Sequence, residues 1–99
     1  MTELEQFQAS AEQAAALLKA MSNPKRLLIL CMLCGSPGTS AGELARVTGL
    51  SPSATSQHLA RMREEGLIES QRDAQRILYS IKNAAVNSLI ATLKTLYCP

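Results

Sequence analysis

The sequence predicts a mainly α domain carrying one β-hairpin, with elements in the order α-α-α-α-β-β-α. Three observations lead there. Apolar residues recur at helical spacing through most of the chain, Pro and Gly cut that pattern into short segments, and after Gly66 the period changes to two. Ninety-nine residues make a single domain, 1–99.

The first helix, about residues 4–20, follows from Phe7, Ala11, Ala14 and Leu18, spaced by four, three and four. Ser22-Asn23-Pro24 then reads as cap and first helical position. The next helix, Pro24 to about Cys34, is apolar nearly all round (Leu27, Leu28, Ile29, Leu30, Cys31, Leu33), so it is expected to be the central and most buried one. Gly35-Ser36-Pro37-Gly38 is a loop. Thr39-Ser40 can cap a short helix with Leu44 and Val47 that stops before Gly49. Ser51 caps, and Pro52 opens, a helix to about Glu65, closed by Gly66. Short helix, glycine turn, capped longer helix is the helix-turn-helix outline, about 40–65. Residues 67–71 and 76–81 read as strands, the second alternating Ile77, Tyr79, Ile81, around the polar tip Arg72-Asp73-Ala74-Gln75. Asn83 caps a last helix, about 83–97, with Val86, Leu89, Ile90, Leu93, Leu96 and Tyr97 on one face.

Composition narrows the class. Hydrophobic residues are 46% of the chain but aromatics only 3%, so the core must be aliphatic. A chain this short buries roughly two-thirds of its unfolded surface, which predicts that a second subunit completes part of the apolar surface. Residues 13–99 hold all ten Lys and Arg against five acids, a balance that suits a polyanion without requiring one. No apolar run approaches the roughly 18 residues that span a bilayer, and the acidic N-terminus is unlike a secretory signal. The expectation is a cytoplasmic protein with no membrane contact. Three cysteines, an odd number, argue against a secreted disulfide framework.

The helix 52–65 can pack one face while offering the other to a major groove. Thr55, Leu59 and Met62 share the packing face, with Ala54 and His58 at its margin; Ser53, Ser56, Gln57, Ala60 and Arg61 share the opposite one. Gln57 suits adenine, and the serines suit a phosphate or base edge. Arg72 and Arg76 flank the hairpin tip, where a wing, about 67–81, reaches backbone or the adjacent minor groove. An ordinary solvated helix and a charged hairpin would show the same residues. His58, the one histidine, sits at the edge of the packed face, where a structural hydrogen-bonding role and a phosphate contact both stay open. Helix and hairpin together outline a winged helix-turn-helix, whose candidate contacts to double-stranded DNA are Ser53, Ser56, Gln57, Arg61, Arg72 and Arg76.

The run from Leu50-Ser51-Pro52-Ser53 through Gln57-His58-Leu59, then Met62-Arg63-Glu64-Glu65-Gly66-Leu67-Ile68, resembles the ArsR/SmtB family. The Asn23-Pro24-Lys25-Arg26 helix start and the Arg76-Ile77-Leu78-Tyr79 strand resemble it too. Within the family the chain is similar to the sulfur-sensing subgroup. The resemblance implies a homodimeric winged-helix repressor of operator DNA, with the first and last helices forming the dimer interface. Family metal sensors place thiolates where this chain has Ser40 and Gly42, or acids and histidines on the last helix, where residues 83–97 have none. No metal and no other cofactor is therefore expected.

The subgroup implies that Cys31 and Cys98 are the redox-sensing pair, with reactive sulfur species or oxidants as inducers. One thiolate becomes a persulfide and the other closes a disulfide or polysulfide bridge. Cys31 lies in an apolar helix, which raises a thiol pKa, so a nearby cation (Lys25, Arg26 or Lys94) is needed to offset burial. Two alternatives stand beside this reading. One is a regulator with no cysteine switch, in which Cys31 is packing and Cys98 incidental. The other is a thiol-disulfide enzyme using Cys31-x-x-Cys34. That motif needs its first thiolate at an exposed helix N-terminus beside a βαβ unit, and this pair sits near a helix C-terminus. No nucleophile–base pair or phosphate loop supports any other catalysis.

Overall fold

Local capping chemistry sets each helix start in the computed structural model, which describes residues 2–98. Thr2 accepts the Glu5 N–H at 3.1 Å to open α1 (Glu3–Met21), with acids in the first turn and Lys19 in the last, each matching the helix dipole. The Asn23 side chain accepts the N–H groups of Lys25 and Arg26 and so starts α2 (Pro24–Gly35). Ser40 caps α3 (Ala41–Thr48), Ser51 caps α4 (Pro52–Glu64) and Asn83 caps α5 (Ala84–Tyr97). Gly49 and Gly66 take positive φ, 73° and 78°, at the ends of α3 and α4. At Gly66 the exit is a Schellman turn: the N–H of Gly66 donates to Arg63 and that of Leu67 to Met62. Met62 and Leu67 are both buried there, so α4 turns directly into the hairpin.

The strands are β1 (Thr39–Ser40), β2 (Ile68–Asp73) and β3 (Arg76–Ile81), in one antiparallel sheet of order β1-β3-β2. The strand β1 departs from the expected order. Thr39 pairs with Tyr79 and Ser40 with Leu78, because Gly38 turns at φ 83° and its N–H donates to the Tyr79 carbonyl and Ser80 Oγ on the free edge of β3. Ser40 still caps α3 as read, in reciprocal contact with Glu43. The observed order is α-α-β-α-α-β-β-α: mainly helical, with a hairpin wing closing on a third short strand.

The core is aliphatic, as composition requires: Met21, Ile29, Leu30, Leu33, Leu44, Leu59, Met62, Leu67, Ile68, Val86 and Ile90. The helix α2 does run through it, but not buried all round, since Leu28 faces out. The terminal helices behave differently. Phe7 is 73% exposed and Leu18 55% on α1, and Leu96 69% and Tyr97 80% on α5. On α1 the predicted apolar face is left uncovered within one chain, whereas the α5 face divides: Val86 and Ile90 enter the core, and Leu89, Leu96 and Tyr97 stay exposed.

Three helix ends meet at the start of α2. Lys25 Nζ donates to the carbonyl of Thr48, the last residue of α3, at 2.6 Å. Arg26 is buried, and its Nη1 donates to Ala20 O near the end of α1 at 2.6 Å and to Glu65 Oε2 at the α4 C-cap at 3.2 Å. Both cations satisfy carbonyls that a helix leaves without partners. Glu65 is the more solvated member of the ion pair, so its share is the smaller. Replacing Arg26 by Met should cost about 3 kcal/mol, by orphaning a buried carbonyl and a carboxylate, whereas Glu65→Gln should cost about 1 kcal/mol or less; urea unfolding of the two variants measures the difference.

The hairpin turn holds a second local cost. Ala74 has φ 57°, a left-handed conformation that a β-carbon penalises. Ala74→Gly should therefore raise stability by about 1 kcal/mol, read as a higher urea midpoint with an unchanged slope.

Candidate nucleic-acid interface

The two faces of α4 divide as the sequence predicts. Thr55, Leu59 and Met62 are buried against the core, and the Thr55 hydroxyl donates to the Ser51 carbonyl at 2.9 Å, so its burial leaves no polar atom unpaired. Ser53, Ser56, Gln57, Ala60 and Arg61 are exposed, with Ala54 and His58 half-buried between the faces. Small and polar side chains cover this exposed surface, and the backbone beneath it is therefore accessible to a groove.

Gln57 and Arg61 border an open cleft of about 700 Å³ between α4 and the junction of α1 with α2, shared with Lys19, Asn23, Arg26 and His58. Lys19 is the residue that sequence reasoning missed. A lysine in the last turn of a helix reads as a dipole partner, and only the packing of the folded chain sets it on the same cleft as Arg61. His58 lines the same cleft, half-buried. Glu64 is the acid on this wall, and Arg26 is committed to Ala20 and Glu65. Lys19 and Arg61 are thus the cations it offers outward.

The wing arginines lie on a separate surface. Arg72 folds over the turn, its Nε donating to Ala74 O at 3.2 Å, and among the described residues it pairs with no carboxylate. Arg76 differs from the expected free wing cation. It forms an exposed ion pair with Glu43 of α3 at 3.3 Å, because β3 runs beside the N-terminus of α3. Arg63 Nη1 donates to Ser70 Oγ at 2.9 Å and fastens β2 to α4. These contacts set the wing against the helix-turn-helix. The Arg76 pair, highly solvated, holds weakly enough to be exchanged for another anion.

A second group of side chains, the three cysteines, lies where α2 packs on α5. Cys31 and Cys34 are half-buried, Cys98 is exposed, and all three are free thiols. Burial pushes the Cys31 thiol above its ordinary value of 9.0; the neighbouring Cys98 and Cys34 add to the rise and Lys94 opposes it. Of the three cations weighed from sequence, Lys25 and Arg26 are occupied with helix ends, and Lys94 is the one acting on Cys31. The fold thus brings Cys31 and Cys98, 67 positions apart, within electrostatic reach of each other. Among the described residues, no three His, Cys, Asp or Glu side chains converge to hold a metal ion, and no helix is long and apolar enough to cross a membrane.

Comparison with known proteins bears on this geometry. The profile of a family described as bacterial regulatory protein, arsR family, matches residues 23–70, from the α2 cap into β2. The HTH-type transcriptional regulator YgaV of Escherichia coli (strain K12) is 86% identical over 99 residues, covering the whole of both chains. The transcriptional activator HlyU of Vibrio cholerae is 42% identical over 95 residues, covering 96% of this chain and 87% of that protein. The biofilm growth-associated repressor of Xylella fastidiosa is 34% identical over 94 residues, covering 95% and 82%. A crystal structure described as a predicted DNA-binding transcriptional regulator from E. coli superposes with a TM-score of 0.91 at 85% identity, covering 96% of this chain and 100% of that one. A homodimeric winged helix-turn-helix DNA-binding domain from Mycobacterium bovis, a possible ArsR-family regulator, superposes with a TM-score of 0.77 at 27% identity, covering 97% and 86%.

Proposed function

The chain belongs to the arsR family of bacterial regulatory proteins, and from that premise we propose that it is a cytoplasmic homodimeric repressor whose grip on operator DNA is controlled by a sulfur bridge between Cys31 and Cys98. Its relatives are transcriptional regulators, not enzymes, and its fold is the DNA-binding winged helix. The observation that carries the DNA reading is the partition of α4: a buried Thr55-Leu59-Met62 stripe behind an unobstructed face of Ser53, Ser56, Gln57 and Arg61.

In this reading Gln57 pairs with a base edge, Ser53 and Ser56 take a base edge or phosphate, and Arg61 takes phosphate with Lys19 beside it. Arg72 follows the backbone or minor groove at the wing tip, and Arg76 exchanges Glu43 for phosphate. Two such surfaces must lie about 34 Å apart to read a palindrome. The uncovered apolar faces of α1 and α5 supply the surface for a second copy, and the M. bovis neighbour is described as homodimeric.

The bridge would form in two balanced steps. A thiolate attacks a sulfane sulfur of an inorganic polysulfide, the polysulfide S–S bond breaks, and a shorter polysulfide leaves. The other thiolate attacks the cysteine-bound sulfur of the resulting persulfide, and hydrosulfide leaves with two electrons. Two cysteine sulfurs are oxidised and one sulfane sulfur is reduced. Cys31 sits on the helix that fastens α3 and α4 through Lys25 and Arg26, and Cys98 ends the proposed dimer helix. A link between them can therefore reset the reading heads, and a hundredfold loss of affinity needs only about 2.7 kcal/mol between states. The thioredoxin-like alternative finds no support here, since Cys31 and Cys34 occupy the C-terminal half of α2, away from the helix end that stabilises a thiolate.

Cys31→Ser and Cys98→Ser should each bind operator like the reduced protein but no longer release it under polysulfide, while Cys34→Ser should still respond; gel shifts with and without polysulfide measure this. Unchanged release by both Ser variants would leave a regulator without a thiol input. Gln57→Ala should weaken operator binding by about 1–3 kcal/mol and spare random duplex. Arg72→Ala should weaken both and lower the salt slope by about 1.

A further inference from the structure

Lys94 lies against the C-terminal end of α2. Its Nζ would be 3.1 Å from a Cβ built on Gly35, tighter than side chains ordinarily approach. Gly35, the last residue of α2, has no left-handed backbone that would call for glycine. The space over Gly35 is what the ammonium occupies. Gly35 follows Cys34 and lies one turn beyond Cys31; on α5, Cys98 lies one turn beyond Lys94 and donates its N–H to the Lys94 carbonyl at 2.9 Å. Lys94 is half-buried, and among the described residues no carboxylate pairs with it. A half-buried ammonium is thus held at the end of α2, within electrostatic reach of Cys31.

We propose that Lys94 is the positioning residue of the thiol switch, holding the Cys31 thiolate for bridge closure, and that Gly35 is glycine in order to admit it. This rests on the bridge reading above and assigns its order. Exposed Cys98 takes the sulfane sulfur first. Cys31 then gives its proton to water, attacks the Cys98 sulfur, and hydrosulfide leaves. Lys94 acts on this step as a charge beside the anion; at the negative end of α2 it is also drawn to the last-turn carbonyls. The titratable groups acting on Cys31 are Cys98 and Lys94 from α5 and Cys34 from α2 itself. Burial and the other two thiols keep Cys31 protonated in the resting protein, and Lys94 alone favours its ionisation.

The test is iodoacetamide alkylation of the reduced full-length chain, without DNA or sulfur donor, resolved by cysteine with peptide mass spectrometry from pH 6.5 to 10. Lys94→Met should slow Cys31 at pH 8 by about three- to tenfold and displace its profile to higher pH, and Lys94→Arg should stay within about twofold of wild type. Gly35→Ala should slow Cys31 modestly, because its methyl obliges the ammonium to give way by a few tenths of an ångström, and its melting curve shows whether α2 is intact. A Lys94→Met profile that superposes on the wild-type one, or a Lys94→Arg chain no faster than Lys94→Met, would overturn the assignment. If the Met variant melts early, the Gly35→Ala profile decides the same question. Operator release is read separately on the Cys98→Ser chain. A Lys94 effect on alkylation together with intact release there supports the assignment and contradicts the bridge. Lost release with no Lys94 effect on alkylation contradicts the assignment and spares the bridge.

Discussion

One guanidinium, withdrawn from water at the first turn of α2, determines how the other elements meet. Burying Arg26 is costly unless its donors are used, and the chain uses them on the end of α1 and the C-cap of α4. Asn23 makes this possible by fixing the start of α2 in register, and Lys25 extends it to the end of α3. A short run of sequence therefore sets how the helix that carries the uncovered Phe7 and Leu18 meets α4, the helix proposed to read DNA. The cleft holding Lys19 and Arg61 opens beside that junction.

The same constraint leaves apolar surface uncovered within one chain. Its aliphatic core is small and made mainly by α2, α4 and α5, and α1 contributes only its last turns, Met21 with Leu17 and Ala20. The rest of α1 runs out from the body, and the molecule extends 50 Å along its longest axis. Apolar faces left on both terminal helices suit a dimer in which each chain completes the other. A sulfur link at the end of α5 would then act on the seam between subunits and on the helix that holds the reading head.

Where a residue's identity reports its own backbone, the sequence was enough. Asn23, Ser51 and Asn83 are caps because their side chains reach back to the next N–H groups, and Gly66 ends α4 because the Schellman turn needs positive φ. The division of α4 was legible for a related reason: a buried stripe at three-and-four spacing leaves only one face for anything else. What escaped depends on distant partners. The strand β1 has two residues, too few to show a period, and exists because Tyr79, forty positions on, offers a free edge. Leu28 interrupts the buried girth of α2 because no element covers that side. The pairing of Arg76 with Glu43, the place of Lys19 beside Arg61, and the choice of Lys94 over Lys25 and Arg26 all follow from helix packing, which spacing along the chain does not encode.

Sedimentation velocity with a fluorescent palindromic duplex, run on reduced and on polysulfide-treated protein, addresses the central claim most directly. The account predicts that reduced protein carries two chains onto each duplex, and that treated protein remains a dimer with a Cys31–Cys98 linkage but leaves the duplex free at the same concentration. Treated protein that still co-sediments with the duplex while carrying that linkage, or that leaves it only by dissociating into monomers, would contradict it.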